Sequence, residues 1–128
     1  WVGTWGGGLN KFNPETTRFE KIELIIPGLY TNDNQIILTI MEDPSGLLWI
    51  GTDGAGVFKF DLNQKKFINI GYDQRGNGLQ ASTHVLSVFV DRYNKLWLGT
   101  KGGGIHYSKD WKQFKTVPFT EKSFAQSG

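Results

Sequence analysis

Apolar residues in this chain fall into short runs closed by turn-forming residues. Ile36-Ile37-Leu38-Thr39-Ile40-Met41, Leu47-Leu48-Trp49-Ile50, Val85-Leu86-Ser87-Val88-Phe89-Val90 and Leu96-Trp97-Leu98 are the clearest, with glycine, proline, asparagine or aspartate between them. Runs of this length bounded by turn signals predict strands, and no stretch of useful length shows the 3.6-residue apolar period of a helix. These runs are almost continuously apolar rather than alternating, which predicts strands whose sheet is covered on both faces. More polar segments follow each pair. The full set predicts eleven strands: 36–41, 47–51, 56–61 and 66–71, then 85–90, 96–99, 104–107 and 113–117, preceded by a strand opening at Trp1 and by 8–12 and 18–22.

The pattern repeats. Trp1-Val2-Gly3-Thr4, Trp49-Ile50-Gly51-Thr52 and Trp97-Leu98-Gly99-Thr100 stand 48 residues apart, and a fixed period of that size marks an array of identical supersecondary units. Each unit reads as four strands, a to d, with the first copy lacking strand a. Asp43-Pro44-Ser45-Gly46 and Asp91-Arg92-Tyr93-Asn94 join a to b: aspartate opens such a turn by accepting a backbone N–H, and glycine or asparagine closes it at positive φ. Gly6, Gly54 and Gly102 suit a tight b–c turn. Gly8, Gly56 and Gly104 recur too, where a side chain is expected to collide with a neighbouring strand. Phe19 and Phe67 anchor strand d, and Phe114 matches them if one residue is dropped.

Four-stranded units buried on both faces by their neighbours describe an all-β β-propeller, one blade per repeat. The expected organisation is a partial propeller of about three four-stranded blades: an incomplete blade at 1–23, blades at 34–71 and 83–117, and a connection toward a next blade at 118–128. The chain opens inside a repeat, so a stretch of something longer is expected. Known propellers close with about four to eight blades. Two bare apolar flanks represent on the order of 10 kcal/mol of unrealised burial, comparable to a domain's whole stability. Further blades of the same chain, or another copy of it in a homo-oligomer, are therefore expected to cover them; a dimer would give close to six blades.

Composition agrees and narrows the function. Glycine reaches 17 of 128 residues and aromatics 14 %, as short strands with tight turns and large fillers require. The net charge of +2 comes from scattered lysines and arginines rather than a basic stripe, which argues against nucleic acid. No cysteine is present for a disulfide or thiolate site, and no apolar run nears the ~20 residues of a membrane span. No cofactor, metal or direct membrane contact is expected.

The glycine-rich 51–56 segment is no phosphate loop, because its spacing is wrong and a strand follows it. His84 and His106 occupy different repeat positions and have no cysteine or repeated carboxylate pair beside them, so a metal site is not expected. Residues that recur in register (Trp1, Trp49, Trp97, Gly3, Gly51, Gly99, Asp43, Asp91) read as structural. Functional candidates are those that break the pattern on one face. The b–c turns carry Trp5, Asp53 and Lys101 at one repeat position, and the long d–a connections carry Tyr30, Asn32, Asp33, Arg75 and Asn77. Amides, carboxylates and rings suit a polyhydroxylated ligand, which needs hydrogen bonds and a stacking face. Solvated connecting loops explain the same residues without a ligand. No unique carboxylate pair or His–carboxylate cluster points to an enzyme.

The repeat resembles the two-component regulator propeller repeat. The resemblance runs through Asp43…Gly46-Leu47-Leu48-Trp49-Ile50-Gly51-Thr52…Gly54…Gly56-Val57…Phe67, through Asp91…Leu96-Trp97-Leu98-Gly99-Thr100…Gly102-Gly103-Gly104-Ile105…Phe114, and through Trp1 to Phe19. Gly28-Leu29 and Gly78-Leu79 resemble the Gly-Leu that precedes strand a; Asn94 and Ala55 each replace a glycine. The resemblance implies the periplasmic sensor part of a hybrid two-component system, tuned to oligosaccharides and signalling to a histidine kinase elsewhere in the chain. A propeller that serves only as a structural or protein-interaction scaffold is the alternative.

Overall fold

A computed structural model describes residues 1–24, 36–70 and 84–118. Their regular structure is entirely β: β1 (Val2–Gly3), β2 (Leu9–Asn13), β3 (Arg18–Ile22), β4 (Ile37–Glu42), β5 (Leu48–Thr52), β6 (Val57–Asp61), β7 (Lys66–Ile70), β8 (Val85–Val90), β9 (Leu96–Thr100), β10 (Ile105–Ser108) and β11 (Lys115–Thr116). They form three antiparallel sheets in which spatial order follows chain order: β1-β2-β3, β4-β5-β6-β7 and β8-β9-β10-β11. The last strand is shorter than the sequence predicts. Each first strand carries an irregularity at one repeat position, between Ile37 and Thr39 and between Val85 and Ser87.

The a–b turns show why the period contains both an aspartate and a tryptophan. Asp43 Oδ1 accepts hydrogen bonds from the Ser45 and Leu47 backbone N–H groups (2.8 and 3.1 Å) and from the Ser45 hydroxyl. Its Oδ2 accepts the Trp49 indole N–H at 2.9 Å. Asp91 repeats this with the Tyr93 and Lys95 N–H groups and the Trp97 indole. Gly46 and Asn94 close the two turns at φ of 87° and 64°, as the turn chemistry requires. Burial raises the pKa of the Asp43 carboxyl, but the bonds from Ser45, Trp49 and Leu47 outweigh it and hold the group below its ordinary value. Asp91 is lowered as well, by the Trp97 indole first and the Lys95 N–H second.

Two separate cores lie between the sheets. Leu9 and Leu24 pack with Ile37, Leu48, Ile50, Phe58 and Phe60 between the first and second sheets. Trp49, Val57 and Ile70 pack with Val85, Val88, Val90, Leu96 and Leu98 between the second and third. Contacts between sheets concentrate on β1, β4, β5 and β8, the strands nearest one edge. The sheets are thus stacked as sectors.

Among the described residues, only the middle sheet is covered on both sides. All five residues of β5 are buried, as a continuously apolar strand predicts. In β8, Leu86 and Phe89 are exposed although the run is equally apolar, because among the described residues no further sheet lies beyond the third.

The glycines divide the labour differently from the sequence expectation. A Cβ on Gly104 meets only the Thr116 methyl at 4.0 Å, so collision does not explain that position. Gly8, Gly56 and Gly104 instead adopt φ of 72°, 74° and 79°, which L side chains rarely reach. The close approach falls at the third residue of the motif, Gly3 and Gly51. A Cβ on Gly3 would overlap Ile37 of the next sheet, and one on Gly51 would lie 2.8 Å from the Val85 carbonyl oxygen and 2.6 Å from the Thr39 methyl.

Candidate functional site

The b–c turns are built by the Gly-Thr of the motif. Thr4, Thr52 and Thr100 each donate their backbone N–H to the carbonyl of Gly8, Gly56 and Gly104, at 3.0–3.1 Å. Each threonine hydroxyl donates to the same carbonyl, at 3.1, 2.8 and 2.7 Å. Side-chain amides tie down two of the turns: Asn10 Nδ2 donates to the Gly7 and Gly8 carbonyls, and Asn69 Nδ2 to the Ala55 carbonyl at 2.7 Å. The result is a stiff turn whose freely varying residue follows the threonine. That residue is Trp5, Asp53 or Lys101.

These three residues lie at the same end of their sheets. Trp5 pairs with Ile36 and Asp53 with His84 as isolated antiparallel bridges, each joining one sheet to the residue that opens the first strand of the next. The Ile37 N–H donates to the Thr4 carbonyl at 2.9 Å, stitching the first sheet to the second. Trp5 is 75 % exposed, Lys101 is exposed and Asp53 is half-buried. Tyr30, Asn32, Asp33, Arg75 and Asn77 lie outside the described residues. The described residues nearest to them in sequence, Leu24, Ile36, Ile70 and His84, stand at this end of the sheets.

One member of this face escaped the sequence reading. His84 Nδ1 lies 2.5 Å from Asp53 Oδ1, across the boundary between the second and third sheets. Its signal was present: His84 sits one period after Ile36, and Ile36 opposes Trp5 as His84 opposes Asp53. His106 has a different fate. It is buried within the seam between the second and third sheets, with Nδ1 3.1 Å from the Thr116 hydroxyl and Nε2 without a hydrogen-bond partner. Among the described residues no group of three or more His, Asp or Glu side chains could hold a metal ion.

The face therefore presents an exposed indole, a carboxylate–imidazole pair and an ammonium group on rigid turns. That set can stack on a ring and both donate and accept hydrogen bonds. A cavity of about 100 Å³ lined by Tyr107, Ser108, Asp110 and Gln113 lies away from it, beside the c–d turn of the third sheet.

Radially stacked meander sheets joined along their first strands define a β-propeller sector, with the variable turns on one face. Comparison with known proteins points to the kind of propeller: residues 31–54 and 78–102 match the family model described as two component regulator propeller. Among solved structures, the chain resembles the extracellular domain of BT3049 from B. thetaiotaomicron, a protein assigned to a hybrid two-component system. The two are 28 % identical with a TM-score of 0.56, over 88 % of this chain and 13 % of that one. The chain thus spans about an eighth of that relative's length. No curated protein matches it.

Proposed function

We propose that this chain is a recognition segment of the extracytoplasmic sensor region of a two-component system. On this reading it lies in the periplasm, binds an oligosaccharide-type ligand on the face of the b–c turns, and passes the signal to a histidine kinase. The segment itself performs no chemistry. The two matched repeats and the extracellular two-component relative support the sensor role. The observation that carries the ligand reading is the contrast within each turn. Threonine and glycine are repeated and locked, whereas the adjoining residue differs in every sheet: Trp5 and Lys101 are exposed, and Asp53 is half-buried beside His84.

Titration calorimetry against a panel of neutral and acidic oligosaccharides tests this. Binding to at least one member is expected, and Trp5→Ala is expected to weaken it at least tenfold through loss of the stacking face. No heat across the panel would favour the alternative reading, a scaffold whose exposed faces serve other proteins.

A further inference from the structure

Main-chain bonds join the variable turns into one continuous row. Trp5 of the first sheet pairs with Ile36 of the second as an antiparallel bridge. The Ile36 carbonyl accepts the Asp53 N–H at 3.0 Å, within the second sheet. Asp53 then pairs with His84 of the third sheet, and the His84 carbonyl accepts the Lys101 N–H at 3.0 Å. The order Trp5, Ile36, Asp53, His84, Lys101 is therefore set by the backbone across three sheets. Neighbours in such a row stand about one strand spacing apart, about 5 Å, so its contour from Trp5 to Lys101 is about 20 Å. Side-chain chemistry changes in stages along it. The Trp5 indole, 75 % exposed, offers a stacking face, and the half-buried Ile36 continues it as an apolar floor. Asp53 follows as an acceptor of fixed direction. An ionised carboxylate only accepts, so the proton between Asp53 Oδ1 and His84 Nδ1 sits on the imidazole. That bond holds Oδ1 and leaves Oδ2 without a hydrogen bond to any described residue. The exposed Lys101 ammonium ends the row with donors.

We propose that this row is a track for an extended, linear oligosaccharide that crosses all three sheets from Trp5 to Lys101. This rests on the oligosaccharide reading of the b–c face and adds a length and a direction to it. Spacing sets the length. One pyranose ring with its glycosidic oxygen advances a chain by about 5 Å, close to one step of the row, so about five units follow it from end to end. A ring at one end stacks on the indole, a hydroxyl of a middle ring donates to Asp53 Oδ2, and oxygens of the last ring accept from Lys101. The threonine and glycine bonds fix each turn, so the three stations do not gather around a small ligand. A disaccharide therefore engages one station at a time. Branched or compact sugars fit the row poorly for the same reason.

Calorimetry on the complete protein reads this directly. The probes are size-fractionated ladders, two to eight units long, of a neutral glucan, a neutral mannan and a polygalacturonate. In a ladder that binds, affinity is expected to rise at least tenfold from two units to five and to level off beyond. Trp5→Ala and Lys101→Ala remove opposite ends of the row. Each is expected to lower the affinity of the five-unit chain to that of a three-unit chain, with the thermal unfolding midpoint unchanged because both side chains are exposed. Equal affinity for two units and five overturns the track while leaving the oligosaccharide reading in place, and so does a length gain that survives either substitution. Silence of all three ladders at every length removes the oligosaccharide reading and the track with it.

Discussion

Asp43 does more than cap a turn. A carboxylate that accepts from two backbone N–H groups, a hydroxyl and an indole couples the a–b turn to the tryptophan wedged into the next seam. Hydrogen bonds to a charged acceptor contribute about 1.5–3 kcal/mol, and orphaning buried donors costs a similar amount. Asp43→Ala is expected to lower stability in urea unfolding by about 3 kcal/mol, and Asp91→Ala by less, since Trp97 is only half-buried on its open flank. The lowered pKa values set the sign in acid. A carboxyl whose folded pKa lies below its unfolded value of 3.8 contributes stability fully above that pH and loses it as pH falls through the folded value. Unfolding midpoints should therefore drop below pH 4, and Asp43→Asn should flatten that drop. The glycines give a second test at this scale. Gly51→Ala sets a Cβ against the Val85 backbone, which cannot rotate away, and overpacking of this kind costs about 1–3 kcal/mol. At Gly99 the clashing group is the Ser87 hydroxyl, which can turn aside. Thermal unfolding should rank Gly51→Ala well below Gly99→Ala.

Among the elements, the strands were legible because each is a short apolar run between turn residues, and the 48-residue identity fixed their register. Gly104 differs from the collision expectation because the sequence reports that glycine is needed, not whether φ or space demands it. Phe89 is exposed in a run that reads like a covered strand, because burial depends on a neighbouring sheet that the run itself does not encode. Trp5, Asp53 and Lys101 share one face as their equivalent positions predict, but the Asp53–His84 pair required knowing which turn meets which strand. That pair closes the seam between the second and third sheets on the variable face. A double-mutant cycle of Asp53→Ala and His84→Ala, followed by chemical unfolding, is expected to show a coupling of about 1 kcal/mol.

At the scale of the molecule, two cores divided by one middle sheet make an unusual balance. The middle sheet contributes to both, so its loss would remove every interior contact between sheets, whereas fraying of an outer sheet leaves one core intact. Arrays whose units touch only their neighbours lose cooperativity at the ends first. Hydrogen exchange is expected to be slowest in β5 and β6 and faster in β3 and β11, on the outermost margins.

The middle sheet turns its Trp49 side toward the third sheet and its Phe60 side toward the first, where Phe60 meets Trp1, and this polarity has a consequence for ancestry. A joint with a plug on one rim and a socket on the other can be lengthened by copying any whole 48-residue unit, because the newcomer brings the matching half for each neighbour. Gain or loss of part of a unit leaves a neighbour without some of the residues that complete its side. Lineages descended from such a chain should therefore differ in circumference by complete periods.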